Sequence, residues 1–122
     1  MTTSLKRSPW GQKAKARYNA EALESRAFED LLRIHGWDWW HVNLPMRSKA
    51  GFPDYMLMRD RLVFVELKAR NPLNDRVGKL SAEQMAFHDR LRRAGAEVHT
   101  FVLPDDYEQA SRTLQRGTGL PL

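Results

Sequence analysis

The sequence has no cysteine, no long apolar run and no hydrophobic segment behind its basic N-terminus. Without cysteine, a disulfide scaffold, a thiolate zinc site and a cysteine nucleophile are all excluded. No apolar run approaches the roughly 20 residues that cross a bilayer, so no membrane partner is expected. The N-terminus also lacks the apolar core of a secretory signal. These absences predict a soluble protein of the cytoplasm.

What the chain does have is an excess of positive charge. Its 20 lysine and arginine residues outnumber its 15 aspartate and glutamate residues, which gives a formal net charge of +5 at pH 7. Such an excess favours a polyanionic partner, because contacts that neutralise phosphates drive non-specific binding of nucleic acids. Charge alone does not identify the partner, since many basic proteins bind no nucleic acid.

With 122 residues, the chain is sized for one domain with a core, which we predict over residues 20–115. Residues 1–19 carry five basic and no acidic side chains. We interpret them as a flexible arm, either simply solvated or in contact with DNA. Residues 116–122 form a C-terminal tail. Within the domain we predict a helix over 20–35, strands over 37–43, 54–58 and 62–68, a helix from Ser81 to near Gly95, a strand over 98–102 and a short trailing helix.

A carboxylate falls on the apolar face of the first predicted helix. At about 100° per residue, Glu24 lies near the middle of this face and Glu21 toward its edge. Either the carboxylate reaches a site at the sheet, or it is a glutamate favoured by the helix dipole. The spacing leaves open which glutamate would reach the site. The face is formed by Leu23, Ala27, Leu31 and Ile34, and Gly36 follows as a C-cap.

The most informative feature of the chain is Gly51-Phe52-Pro53-Asp54, followed twelve residues later by Glu66-Leu67-Lys68. This spacing places two carboxylates and an amine at the ends of two neighbouring strands. Carboxylate oxygens suit Mg²⁺ or Mn²⁺, and an adjacent lysine can orient or help deprotonate a water that the metal acidifies. The alternative for Glu66 and Lys68 is an ion pair at the end of a strand.

Whether Asp54 joins Glu66 depends on the turn between the second and third strands. If Met58 pairs with Leu62 across a three-residue loop, Asp54 lies directly opposite Glu66. A two-residue loop would turn Asp54 to the other face of the sheet. The metal-site interpretation therefore requires an odd loop or a bulge. Both strands are apolar on both faces, which predicts that they lie in the middle of the sheet.

The second predicted helix begins with Ser81-Ala82-Glu83-Gln84, which fits a capping box. Gln84 also lies on the apolar stripe of this helix, where its amide could bind a catalytic lysine, a water or a phosphate. We interpret His88, one turn further on, as a packing histidine and not as a metal ligand.

Basic and aromatic residues flank the proposed site. Lys and Arg in loops position a nucleic-acid backbone without reading its sequence. The three tryptophans near the first strand either stack on unpaired bases or build the core or an interface. The basic candidates are Arg47, Lys49, Arg70, Arg76 and Lys79, and the tryptophans are Trp37, Trp39 and Trp40.

These motifs resemble the PD-(D/E)XK nucleases, and among them the small stand-alone VRR-NUC proteins. The resemblance covers about residues 20–103. It implies a restriction-endonuclease-like α/β fold, with an α-β-β-β-α-β core and a central mixed sheet flanked by helices. The matching elements are Gly51-x-Pro53-Asp54, Val65-Glu66-Leu67-Lys68-Ala69, Leu80-Ser81-x-x-Gln84 and Gly95-Ala96-x-Val98.

The same resemblance implies an endonuclease that needs Mg²⁺ or Mn²⁺. Asp54, Glu66 and the backbone carbonyl of Leu67 would bind the ion, and Lys68, Gln84 and a first-helix glutamate, Glu24 or Glu21, would complete the catalytic site. The implied activity is selective cleavage of branched or junction DNA, or nicking of DNA, in phage or bacterial replication, repair or recombination. Such nucleases often pair, so a homodimer is one expectation. The alternatives are a non-catalytic DNA-binding module of the same fold and a nuclease that acts on RNA.

Overall fold

Helices flank a four-stranded sheet in the structure, a computed structural model that describes residues 9–42 and 51–117. The predicted order α-β-β-β-α-β with a trailing helix is confirmed. The elements are α1 (Pro9–Ile34), β1 (Asp38–His41), β2 (Tyr55–Met58), β3 (Leu62–Ala69), α2 (Ala82–Arg93), β4 (Glu97–Leu103) and α3 (Tyr107–Gln115).

The sheet is mixed, as predicted, with the strand order β1-β2-β3-β4. The pairs β1–β2 and β2–β3 are antiparallel, whereas β3 and β4 run parallel. A tight loop can join only antiparallel neighbours, while parallel neighbours need a crossover, which α2 supplies here. The crossover therefore runs from the end of β3 through α2 to the start of β4.

The turn between β2 and β3 has the length that the metal-site interpretation requires. Met58 pairs with Leu62 across the three residues 59–61, and Tyr55 pairs with Val65. Asp54, which precedes Tyr55, is therefore in phase with Glu66, which follows Val65. The prediction that the two carboxylates lie on the same face of the sheet is confirmed.

The hydrophobic core lies between one face of the sheet and the helices α1 and α3. Alternate residues of the central strands point into it, because side chains in a strand alternate between faces. Trp37, which follows α1, closes the core, and its indole Nε1 donates to the backbone oxygen of Leu114 over 2.8 Å. The largest fully buried members of this core are Phe28, Leu32, Tyr55, Leu57, Val63, Val65, Phe101, Leu103 and Leu114.

Helix α1 differs from the prediction at its start and in its buried face. It begins at Pro9, not at residue 20, so residues 9–19 of the predicted arm are helical, and residues 1–8 lie outside the described residues. Proline is favoured at the first helical position, and the alanines, lysines and glutamine that follow are good helix formers. Leu23 and Ile34 are 62% and 72% exposed, whereas Phe28 and Leu32 are buried. The buried stripe is therefore rotated toward Phe28 and Leu32.

The opposite face of the sheet is only partly covered. Phe52 packs edge-on against both Phe64 of β3 and Phe87 of α2. Further along the strands, Met58 and Leu62 are exposed. The prediction that both faces are covered is therefore correct near Phe64 and wrong at the β2–β3 turn, because α2 does not extend over the turn.

The three tryptophans have different surroundings. Trp37 is buried in the core, Trp39 packs against its edge, and Trp40 is 60% exposed on the edge strand β1. The core interpretation is thus correct for Trp37. Over residues 9–42 and 51–117, none of the helices has both the length and the apolarity needed to cross a membrane.

Candidate active site

A pocket of about 410 Å³ opens where β2 begins and β3 ends, next to α1. Both predicted carboxylates and the predicted lysine line it. The residues around it are Glu21, Ala22, Glu24, Ser25, His41, Asp54, Glu66, Leu67, Lys68 and Ala69.

Backbone groups on both neighbouring strands hold Asp54 in place. Its Oδ2 accepts a hydrogen bond from the backbone N–H of Leu67 over 2.9 Å, and its backbone oxygen accepts one from Val42 over 2.6 Å. The buried Pro53 fixes the backbone just before it. Because Leu67 directly follows Glu66, the bond to its N–H ties the position of one carboxylate to the backbone that carries the other.

Glu66 is a buried carboxylic acid whose two oxygens have different surroundings. It is 3% exposed. Its Oε2 accepts a hydrogen bond from Gln84 Nε2 over 3.0 Å, whereas Oε1 has no hydrogen-bond partner within residues 9–42 and 51–117. Burial, and then the negative charge of Asp54, raise the pKa of Glu66 to about 8, although Lys68 and Gln84 oppose the shift. The structure therefore brings two carboxylates together at a cost that a cation would relieve.

Lys68 extends along the same face as Glu66. Its Nζ lies 3.8 Å from Glu66 Oε2 and donates to Gln84 Oε1 over 3.4 Å. The ion pair considered from the sequence is thus present, but it is part of a larger group and not a pair on the rim. The ammonium group is positioned beside the carboxylates and in the lining of the pocket.

Gln84 has both of the roles considered for it from the sequence. Its Oε1 accepts from the backbone N–H of Ser81 over 2.9 Å, and its own backbone N–H donates to Ser81 Oγ over 3.1 Å, which completes a capping box. The same side chain contacts Glu66 and Lys68. The start of α2 is therefore part of the candidate site.

Both glutamates of α1 reach the pocket. Glu24 is half-buried and burial raises its pKa, while Glu21, one turn earlier, is exposed. Glu24 lies four residues before Phe28, so it follows the stripe that packs on the sheet. Its place on the buried face is as predicted, although different apolar residues define that face. Because both side chains line the pocket, both glutamates remain candidates for the catalytic carboxylate of α1.

The donor set fits a hard divalent cation. Asp54 and Glu66 offer carboxylate oxygens, of which the buried Glu66 Oε1 accepts no hydrogen bond from any described residue. All-oxygen sets are typical of Mg²⁺ and Mn²⁺. No cluster of three or more acidic, histidine or cysteine side chains suited to a metal occurs in the described part of the chain. A cation here would thus be held by two side chains, and the Leu67 carbonyl remains a predicted third ligand.

The residues predicted to contact DNA differ in their surroundings. Arg70 is engaged by acidic neighbours, since it pairs with Asp105 and lies 3.4 Å from Asp75 Oδ1. Its charge is therefore largely offset within the protein. Arg76 and Lys79 are exposed in the connection between β3 and α2, outside the described residues that line the pocket. Arg47 and Lys49 lie outside the described residues.

Two histidines near the site were not predicted to belong to it. His41 lines the pocket and stacks on Tyr55, with ring centroids 4.3 Å apart. The sequence carried no signal for this position, because the pairing of His41 with Tyr55 depends on the register of β1 and β2. His88 is fully buried in α2, and its pKa is lowered, chiefly by burial. Its burial agrees with the packing role that we predicted, but neither ring nitrogen has a hydrogen-bond partner in the described chain.

Comparisons with known proteins identify the fold. No family model matches the sequence, and no curated protein matches it. Among solved structures, this chain is similar to a VRR_NUC domain. The two share 24% sequence identity with a TM-score of 0.51, and the alignment covers 83% of this chain and 96% of the other. The element order and the mixed sheet agree with this likeness. The protein has the restriction-endonuclease-like fold of a VRR_NUC domain.

Proposed function

We propose that this protein is a metal-dependent endonuclease that hydrolyses phosphodiester bonds in DNA. One observation carries the proposal, namely the buried carboxylate of Glu66 in phase with Asp54 and beside Lys68, in a pocket open to solvent. The likeness to a VRR_NUC domain supports a nuclease, and so does the net charge of +5. A purely structural role would not explain why two carboxylates are held together with one oxygen unsatisfied by the described residues.

In this proposal Asp54 and Glu66 hold a Mg²⁺ or Mn²⁺ ion, with the carbonyl of Leu67 as a further ligand. The chemistry that a bound ion supplies is acidification of water and compensation of charge on the phosphate. Asp54 is kept in place by the Leu67 N–H, and Glu66 by Gln84. These bonds preorganise the two carboxylates, so little reorganisation accompanies the reaction.

Lys68 acts on the attacking water in the same proposal. Gln84 Oε1 holds its Nζ near Glu66, so the ammonium can donate hydrogen bonds to a water oxygen and to a phosphate oxygen. The water oxygen loses a proton to solvent and bonds to phosphorus, while the bond from phosphorus to the leaving oxygen breaks and that oxygen takes a proton from solvent. Glu24 or Glu21, both of which line the pocket from α1, takes part in orienting the water.

The finer parts of the proposal concern the substrate. We propose branched or junction DNA, or nicking of a duplex, in phage or bacterial DNA replication, repair or recombination. Arg76 and Lys79, with Arg47 and Lys49, would contact the backbone. A homodimer would place two sites on two strands. Arg70 is a weaker candidate for a DNA contact, since acidic side chains already engage it.

The test is a panel of labelled linear, nicked, flapped and four-way DNA substrates incubated with Mg²⁺, Mn²⁺ or a chelator. Wild-type protein should cleave at least one substrate in a metal-dependent way. Asp54→Ala and Lys68→Ala should reduce cleavage by at least about a hundredfold and keep the fold. Glu108→Ala is the matched control, because Glu108 is an exposed carboxylate of α3 away from the pocket.

Cleavage by Asp54→Ala at the wild-type rate would end the proposal. DNA binding that weakens steeply with salt and yields no metal-dependent product would instead identify a non-catalytic binding module. An RNA panel run in parallel distinguishes a ribonuclease from a deoxyribonuclease.

A further inference from the structure

His88 is a buried histidine that faces the candidate site from α2. It is 1% exposed, and in the described part of the chain neither ring nitrogen has a hydrogen-bond partner. Its Nε2 lies 3.9 Å from Oε1 of Glu66, the oxygen that is also unpartnered there. Two buried polar atoms therefore face each other just behind the pocket.

Packing alone does not account for a histidine at this position. A polar group that is buried without a hydrogen bond lowers the stability of the fold, because its lost contact with water is not replaced. A phenylalanine or leucine of similar volume would fill the same space without that cost. The imidazole is therefore better explained by a state of the site in which a ring nitrogen has a partner.

The helix places one nitrogen next to each oxygen of the same carboxylate. Gln84 and His88 are four residues apart in α2, so their side chains lie on the same face. Gln84 Nε2 donates to Oε2 of Glu66 over 3.0 Å, and His88 Nε2, one turn further along the helix, lies 3.9 Å from Oε1. A shift of about 1 Å would bring His88 to hydrogen-bond distance.

We propose that His88 is a positioning residue for Glu66. Its Nε2–H donates to one lone pair of Oε1 when Glu66 binds the divalent cation through another, and so fixes the orientation of the carboxylate. This inference rests on the proposed metal-dependent function. Neighbours that hydrogen-bond metal-binding carboxylates commonly change metal affinity or activity 10–100-fold when they are removed.

The experiment measures Mn²⁺ binding to the full chain by titration calorimetry and by loss of the free Mn²⁺ paramagnetic resonance signal, without DNA. His88→Phe keeps an aromatic shape without a donor, and His88→Gln restores an amide N–H near the position of Nε2. We expect His88→Phe to weaken Mn²⁺ binding about 10–100-fold. We expect His88→Gln to stay within about threefold of wild type.

Cleavage kinetics provide a second readout. The Mn²⁺ concentration for half-maximal cleavage by His88→Phe should rise with the dissociation constant, while the rate at saturating Mn²⁺ should change far less. Wild-type Mn²⁺ affinity in His88→Phe, or equal weakening in His88→Phe and His88→Gln, would overturn the inference. If His88→Phe fails to fold, His88→Leu takes its place in the same comparison.

Asp54→Ala separates this inference from the proposed function. Loss of Mn²⁺ binding in Asp54→Ala with unchanged binding in His88→Phe would refute only the role of His88. Absence of Mn²⁺ binding by the wild-type protein would refute the proposed function itself.

Discussion

Gln84 joins the start of α2 to Glu66. Its Nε2 donates to Glu66 Oε2 over 3.0 Å, while its Oε1 accepts from the backbone N–H of Ser81 over 2.9 Å. A single side chain thus contributes both to the cap of the helix and to the geometry of the candidate site.

Replacing Gln84 by glutamate should separate these two contributions. Glutamate also completes a capping box, so α2 should remain capped, but its carboxylate would repel Glu66 instead of donating to it. We expect cleavage to fall at least about tenfold, while helix content by circular dichroism stays at the wild-type value. Gln84→Ala should lose cleavage and also about 1 kcal/mol of stability. Full activity in Gln84→Glu would show that the contact with Glu66 has no functional role.

Replacing Glu66 by glutamine should stabilise the metal-free protein, and more so as the pH rises. The pKa of Glu66 is about 8 in the folded state against an ordinary value of 4.5, because burial disfavours the charged form. Between these values the folded state binds more protons than the unfolded state, so the free energy of unfolding falls as pH increases. Glutamine removes this loss, which is on the order of a few kcal/mol by pH 8.

Urea unfolding in a chelator at pH 5 and pH 8 checks this prediction. The stability difference between Glu66→Gln and wild type should be small at pH 5 and large at pH 8. Glu108→Gln serves as the control for a carboxylate that is exposed to solvent. If the free energy of unfolding changed with pH in the same way in wild type and Glu66→Gln, the loss of stability at high pH could not be assigned to Glu66.

Gly51 is needed where the chain approaches α2. Its φ of +93° is in the region that favours glycine, and a Cβ there would collide with the carbonyl of Glu83 and come within 2.9 Å of the Gln84 nitrogen. Gly51→Ala should therefore cost both backbone strain and a displacement of the helix start, more than about 2 kcal/mol in total.

Gly95→Ala is a matched control for Gly51→Ala. Gly95 has a similar φ of +97°, but nothing lies within 4 Å of the added Cβ, so only the strain of about 1–2 kcal/mol remains. Chemical denaturation of the two variants measures the difference. Equal destabilisation would show that the contact with Glu83 relaxes at no cost.

Glu97 should stabilise the fold in a way that disappears in acid. Burial alone would raise its pKa, but hydrogen bonds with Arg61 and His99 outweigh burial and lower it. A lowered folded-state pKa gives stability that is present above the ordinary value of 4.5 and is lost as the pH falls through the folded-state value.

Glu97→Gln should accordingly be less stable than wild type at pH 6, by no more than about 1 kcal/mol because the pair is partly exposed. The two proteins should converge in stability as the pH falls below the lowered folded-state pKa of Glu97. Thermal unfolding at several pH values provides the measurement. If the difference in stability between Glu97→Gln and wild type widened as the pH fell, Glu97 would not be the source of the acid-sensitive stability.

The buried stripe of α1 can be tested by comparing Phe28 with Leu23. Phe28 is fully buried and packs edge-on against Tyr55 with ring centroids 5.1 Å apart, whereas Leu23 is exposed. Phe28→Ala should cost about 3–5 kcal/mol and Leu23→Ala less than about 0.5 kcal/mol. The free energies of unfolding decide this, and a large cost for Leu23→Ala would favour the stripe that we predicted from the sequence.

The parts of the site that follow from strict periodicity were predictable. Side chains in a strand alternate with a period of two, so Asp54 lies opposite Glu66 once the loop between Met58 and Leu62 has three residues. The sequence left the length of this loop open, and the structure supplies it. The capping box likewise placed Gln84 three residues after the N-cap Ser81, in the first turn of α2. Short-range geometry determined each of these positions.

The parts that depend on long-range packing were not predictable. Apolar residues of α1 cover a wide arc, and only contact with Tyr55 and Phe101 selects Phe28 as the centre of the buried stripe. The pairing of Arg70 with Asp105 depends on the parallel register of β3 and β4, which places distant segments side by side. The burial of His88 depends likewise on which strand lies beneath α2.

The unsatisfied oxygen of Glu66 also has a consequence for the resistance of the protein to proteolysis. Because the described residues leave a buried carboxyl oxygen without a donor, a cation that binds there would act as a folding ligand as well as a participant in hydrolysis. Local opening near the end of β3 would then become rarer as free Mg²⁺ increases, and degradation by proteases would slow. Supply of the ion would thereby set the abundance of the protein together with its catalytic rate.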